Sequence, residues 1–267
     1  MPVYERLSMV VSLTLIGLAL YFVVDLPPQI TAFTLYGAPI VVTASTRLLA
    51  AILLGGLAFT GAGAVMRAHP GRRISYAYPF WVNATLLVAL AALTLARLGS
   101  VLAWALGLAA TGALLWLSIL AEYRALRPIQ NGSRWARLWS QGMSYALMLA
   151  FMLLMYQSQL GIVWKTAGVF AVSGLLASSL YKLHAQTTRY VGVFSFLSAL
   201  ALSQFTWVLD FWPVSAVEVA LLAFLFFYVF SGLVGAHLKK GLSKQRIGEY
   251  AAVAAIGLTL IAWVNPF

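Results

Sequence analysis

"MPVYERLSMVVSLTLIGLALYFVVDLPP", Met1 to Pro28, decides how the rest of the chain is read. A basic residue, Arg6, precedes an apolar run, as in a signal peptide, but the exit "YFVVDLPP" has no small-x-small cleavage pattern. The run is also long enough to cross a bilayer, which takes about 20 residues. The expectation is an uncleaved first transmembrane helix, stopped by Pro27 and Pro28.

The same kind of run recurs along the chain. Nine are expected, at Leu7–Val24, Thr46–Met66, Pro79–Ala96, Ser100–Ala121, Ser140–Gln157, Val163–Tyr181, Tyr190–Val208, Val214–Ala236 and Gly248–Val264. Composition agrees: 63% of the 267 residues are hydrophobic and 9% charged, with a mean hydropathy of +0.93. No water-soluble core with a polar shell has that balance. The fold class read from sequence is therefore an all-α polytopic membrane protein, residues 1–267 forming one transmembrane domain of about nine helices.

A net charge of +11 would suggest nucleic acid in a soluble chain. Here the charges follow the spans. With a cytoplasmic N-terminus, the inner segments hold Arg6, Arg67, Arg72, Arg73, Arg124, Arg127, Arg134, Arg137, Lys182, Arg189, Lys239, Lys240, Lys244 and Arg246. The outer segments hold only Arg47, Arg97 and Lys165. Basic residues near span ends resist translocation, so this partition predicts N-in and C-out in a cytoplasmic membrane. The basicity is a topology signature, and nucleic acid drops out as a partner. Anionic lipids of the inner face remain as one.

Two segments between spans are long. In the cytoplasmic loop of residues 122–139, the stretch "ALRPIQNGSRWARLWSQG" that begins at Ala125 and runs to Gly142 sets Trp135, Leu138 and Trp139 against Arg134 and Arg137, the pattern of a short helix lying in the inner headgroup layer. In residues 26–46, "PIVVTASTR" alternates with a period of two, "QITAFTLY" does so less cleanly, and "YGAP" supplies turn residues between them. This predicts an outward-facing β-hairpin, with the second helix beginning around Ser45 or Thr46. A lone hairpin is marginal in water. Its charge-free surface, with Ile30, Phe33, Leu35, Tyr36, Ile40 and Val42, suits docking on a partner membrane protein.

Chemistry in a membrane is usually announced by ionisable groups at depth. Glu5, Glu122 and Glu249 fall at inner span ends and Asp25 and Asp210 at outer ones, leaving Glu218 as the acidic residue inside a span. It lies about one turn past Pro213, where a carboxylate serves as a helix N-terminal cap. That disfavours a proton- or sodium-coupled pathway. No Asp-rich pair holds magnesium on a diphosphate, there is no cysteine, and no HExxH spacing supports a metal. "AVSGLLASS", residues 171–179, is similar to the Ser-Gly step of intramembrane serine proteases, but Ser173 is expected near midplane and its would-be base His237 at the inner rim.

His69, His184 and His237 each close an even-numbered span on the inner side, beside basic residues. Helix C-termini favour such residues for their dipole alone. If they converge, the neighbourhood of arginines and lysines suits a phosphate better than a divalent cation. Three roles follow from these residues. The first is a non-catalytic scaffold or accessory subunit docking through the hairpin. The second is a lipid-handling transporter or transferase that binds an anionic head group through His69, Arg72, Arg73, His184, Arg189, His237 and Lys240. The third is a pigment- or haem-binding subunit using the histidines as axial ligands. No catalytic residue and no cofactor is assigned, and the balance leans away from an enzyme. Small residues at i, i+4 spacing, such as Ala103, Gly107 and Thr111, predict closely packed helices.

Overall fold

The computed structural model describes residues 3–23, 29–35, 38–44, 46–67, 80–125, 134–158, 160–182, 188–240 and 243–264. Among these, the chain runs α1 (Val3–Val23), β1 (Gln29–Leu35), β2 (Ala38–Ala44), α2 (Thr46–Arg67), α3 (Val82–Leu95), α4 (Val101–Ala125), α5 (Arg134–Gln157), α6 (Ile162–Tyr181), α7 (Thr188–Asp210), α8 (Ala216–Lys240) and α9 (Lys244–Val264). Seven helices, α1, α2 and α4 to α8, contain stretches long and apolar enough to cross a membrane. The chain is a multi-pass helical membrane protein.

Of the nine expected spans, seven correspond to these helices, and the third and ninth are not among them. The run Pro79–Ala96 yields α3, a helix of 14 residues. At 1.5 Å per residue the described helix extends about 21 Å, and residues 68–79 ahead of it lie outside the described residues. Ten of its residues are buried, with Val88 and Ala92 wholly enclosed. A helix covered on most faces is apolar all round whether lipid or protein covers it, and hydropathy does not tell the two apart. The final helix, α9, has 21 residues but opens with Lys244, Arg246 and Glu249 and is not one of the seven.

A correction concerns the inner loop. Trp135, Leu138 and Trp139 belong to no separate interfacial helix, because α5 runs without a break from Arg134 to Gln157. Its two expected pieces share one helical register, so the first turns continue the membrane helix.

Where the sequence reading has one domain, the contacts divide the chain into two compact units, Met1–Ala136 and Arg137–Phe267. In the first, α3 packs on α2 and α4, and α1 packs on the same pair. Glycines set the distances. A Cβ on Gly55 of α2 would stand 3.3 Å from the Thr85 carbonyl oxygen of α3, and one on Gly112 of α4 would press on Leu15 of α1. Gly107, from the stripe noted above, meets Leu95 of α3. With no hydrophobic drive between helices in lipid, such close approach supplies dispersion contacts instead.

In the second unit α6 packs on α7, and α8 on α6, α7 and α9. Gly174 of α6 faces Ala199 of α7, and Gly257 of α9 faces Leu225 of α8. Hydroxyls in the spans mostly bond to their own helix backbone: Thr14 to the Val10 carbonyl at 2.8 Å, Thr111 to Gly107 at 2.8 Å, Thr206 to Leu202 at 2.9 Å.

Between α1 and α2, β1 and β2 pair antiparallel, with Gln29 opposite Ala44 and Leu35 opposite Ala38. The side chains of both strands, including those of Ile30, Phe33, Leu35, Ile40 and Val42 from the expected docking surface, lie outside the described residues. Tyr36 lies outside the described residues.

Candidate functional site

In the second unit, a cavity of about 330 Å³ opens among α5, α6, α8 and α9. The first turns of α5 contribute Gln141 and Tyr145, the last turn of α6 Leu180 and Tyr181, the second half of α8 Tyr228, Ser231 and Lys239, and the start of α9 Arg246, Glu249 and Tyr250. The cavity thus draws on the first halves of α5 and α9 and the second halves of α6 and α8.

Tyrosines make its wall. Tyr145 of α5 and Ser231 of α8 have their hydroxyl oxygens 3.2 Å apart. Ser231 directs its own proton to the Tyr228 carbonyl at 3.3 Å, so Tyr145 is the donor of the pair. The same logic holds one helix away. Tyr181 lies 2.7 Å from Ser198, whose proton goes to the Phe194 carbonyl at 2.7 Å, which makes Tyr181 the donor. The ring of Tyr228 stands 5.0 Å from that of Tyr145 and 6.2 Å from that of Tyr250, at interplanar angles of 54° and 59°. Tyr250 reaches this wall because α8 carries Gly232, where a Cβ would collide with the Tyr250 ring.

Charge enters from Lys239, Arg246 and Glu249. Glu249 accepts a bond from Gln245 Nε2 at 3.4 Å, one helical turn earlier. The Arg246 backbone N–H donates to the Ser243 hydroxyl at 3.4 Å, which caps the start of α9. The cavity thus has hydroxyls and π-faces on its wall, with two cations and one carboxylate beside them.

The sequence-derived head-group residues stand differently. His69, Arg72, Arg73 and His184 lie outside the described residues, as do the side chains of Arg189 and Lys240. His237 does not line the cavity; its ring meets Phe194 of α7 at 5.9 Å. Lys239, two residues along α8, takes the place by the cavity. Tyr181 and Tyr250 are not among the sequence-derived head-group residues. What singles them out is convergence with Tyr145 and Tyr228, which comes from helices distant in sequence and has no local signature.

Two further polar contacts lie elsewhere. Glu218 donates its N–H to the Ser215 hydroxyl at 3.4 Å and accepts the Ser215 N–H at 2.9 Å, a reciprocal cap on α8. Glu122, placed by sequence at an inner span end, is 2% exposed and bonded to Asn83 of α3. No group of three or more His, Cys, Asp or Glu able to hold a metal occurs among the described residues.

A family model described as protein of unknown function (DUF5656) matches residues 26–264. No curated protein and no solved structure matches the chain.

Proposed function

The chain belongs to that family, and we propose that it is a lipid-handling protein of the cytoplasmic membrane, holding a phosphate-bearing head group in the tyrosine-lined cavity of its second unit. One observation carries this reading: Lys239 and Arg246 meet hydroxyl-bearing aromatic side chains around a cavity of about 330 Å³. Ligand sites run from about 300 to 1,000 Å³, so this volume suits a head group and leaves acyl chains outside. Charge-assisted bonds to phosphate from a lysine and an arginine supply affinity, and the Tyr228 and Tyr250 hydroxyls supply direction.

The basic-residue partition supports placement at the inner rim. Lys182, Lys239, Lys244 and Arg246 fall where α6 and α8 end and α9 begins, the side that the positive-inside rule assigns to the cytoplasm. The N-terminus is then inside, the C-terminus outside, and the hairpin outside.

The experiment is native mass spectrometry of the protein, extracted gently, with defined phospholipids added back. The double variant Lys239→Gln/Arg246→Gln should lose at least about tenfold in phospholipid retention, the equivalent of one charge-assisted bond of about 1.5–3 kcal/mol. Unchanged retention would remove the reading. The accessory-subunit role has its own observation, the antiparallel pairing of β1 with β2 between α1 and α2. Deleting residues 30–45 should leave insertion intact and abolish association with a partner chain.

A further inference from the structure

Resting on the head-group reading above, we infer that the cavity is built for a zwitterion, a phosphate ester carrying an ammonium two carbons away, rather than for a purely anionic head group. The reason lies in what a site for phosphate alone would not contain. Tyr145, Tyr228 and Tyr250 present three neighbouring rings to the cavity, with centroid separations of 5.0 and 6.2 Å and planes tilted by 54° and 59°. Ring faces carry partial negative charge, which repels an anion and attracts an ammonium. Glu249 stands in the same lining and acts in the same direction.

Against an anion, then, three rings and a carboxylate work against Lys239 and Arg246. Against a zwitterion every one of them has a counterpart: the two cations face the phosphate, and the rings and Glu249 face the ammonium. Arg67 over Trp81 and Lys165 over Tyr156 are cations seated on rings elsewhere among the described residues, whereas the cavity lysine and arginine are not so placed on Tyr145, Tyr228 or Tyr250.

The cage is also held in advance of any ligand. The Tyr145 hydroxyl is fixed on Ser231 at 3.2 Å, and Tyr250 is seated in the gap left by Gly232. Side chains held this way lose little freedom when a guest arrives.

The test uses the full-length protein in detergent, titrated with short-chain phosphatidylethanolamine, phosphatidylcholine and phosphatidylglycerol, with soluble phosphoethanolamine as a separate arm. The expected result is a preference of about tenfold or more for either zwitterionic lipid over phosphatidylglycerol, consistent with an ammonium held by several rings. Binding by soluble phosphoethanolamine would identify the free ester as sufficient, and its failure beside lipid binding would identify the lipid as the source; both support the zwitterion. Tyr228→Phe should keep the preference and Tyr228→Leu should abolish it while leaving phosphatidylglycerol binding in place. If a leucine variant fails to fold, the wild-type lipid ranking still decides. Equal or tighter binding of phosphatidylglycerol, lost in Lys239→Gln/Arg246→Gln, would overturn this inference and leave the head-group reading standing. Binding of none of the three lipids would overturn both.

Discussion

Asn83 of α3 donates from Nδ2 to Glu122 Oε1 of α4 at 3.0 Å, with both residues almost completely buried. The bond joins positions 39 residues apart and fixes a short helix against a long one. Removing the amide weakens the support of a buried carboxylate, which costs more than the bond contributes while intact. Asn83→Leu is expected to lower stability by roughly 2–4 kcal/mol. Glu122→Gln, which keeps an acceptor for the Asn83 amide, should cost less. Thermal unfolding in detergent measures both, and a neutral Asn83→Leu would contradict the contact.

Gly232 and Tyr250 predict a steric effect. A methyl group at Gly232 meets the tyrosine ring, so Gly232→Ala should destabilise the α8–α9 contact by about 1–3 kcal/mol. Tyr250→Ala opens the space that the methyl needs. The double variant should therefore be more stable than the sum of the two single losses predicts, a coupling that a double-mutant cycle reads directly.

Lys165 Nζ lies 3.3 Å from Asp210 Oδ1, joining the start of α6 to the end of α7, with side chains 17% and 14% exposed. Lys165 also stands 5.6 Å from the centre of the Tyr156 ring. Partial burial puts this pair between surface bridges, worth about 0–1 kcal/mol, and buried ones. Asp210→Asn should cost roughly 1–2 kcal/mol, and Lys165→Met in that background should add little. Equal losses from each change, summing in the double variant, would show that the pair is not coupled.

The Ser215–Glu218 cap separates two changes of similar size. Ser215→Ala removes the acceptor for the Glu218 N–H and should cost about 0.5–2 kcal/mol. Glu218→Gln keeps the reciprocal bond to the Ser215 N–H, since glutamine serves in the same cap. A larger loss for Glu218→Gln than for Ser215→Ala would give that carboxylate a role beyond capping.

Topology has a direct test because the chain contains no cysteine. Gly99 and Gly161 are exposed with open space around a built Cβ, and Ser243 is exposed between α8 and α9. In intact cells Gly99→Cys and Gly161→Cys should react with an impermeant maleimide, and Ser243→Cys only after permeabilisation. The reverse pattern would invert the orientation.

Hydropathy, charge partition and a period of two are local properties, and they carried the reading of a multi-pass helical chain with strand-forming residues between its first two long helices. Each depends on transfer free energy or backbone geometry over a few turns, so no partner segment is needed to see it. Rotation of a helix about its own axis is a different matter. Helices apolar on nearly every face have no polar stripe to say which way they turn. The sequence therefore could not show that Lys239 rather than His237 faces the cavity, that Glu122 turns inward to Asn83, or that the helix Val82–Leu95 is covered on most faces. Tertiary packing decided these, as glycines let neighbours such as α8 and α9 close together and side chains from α5, α6, α8 and α9 came to share one cavity.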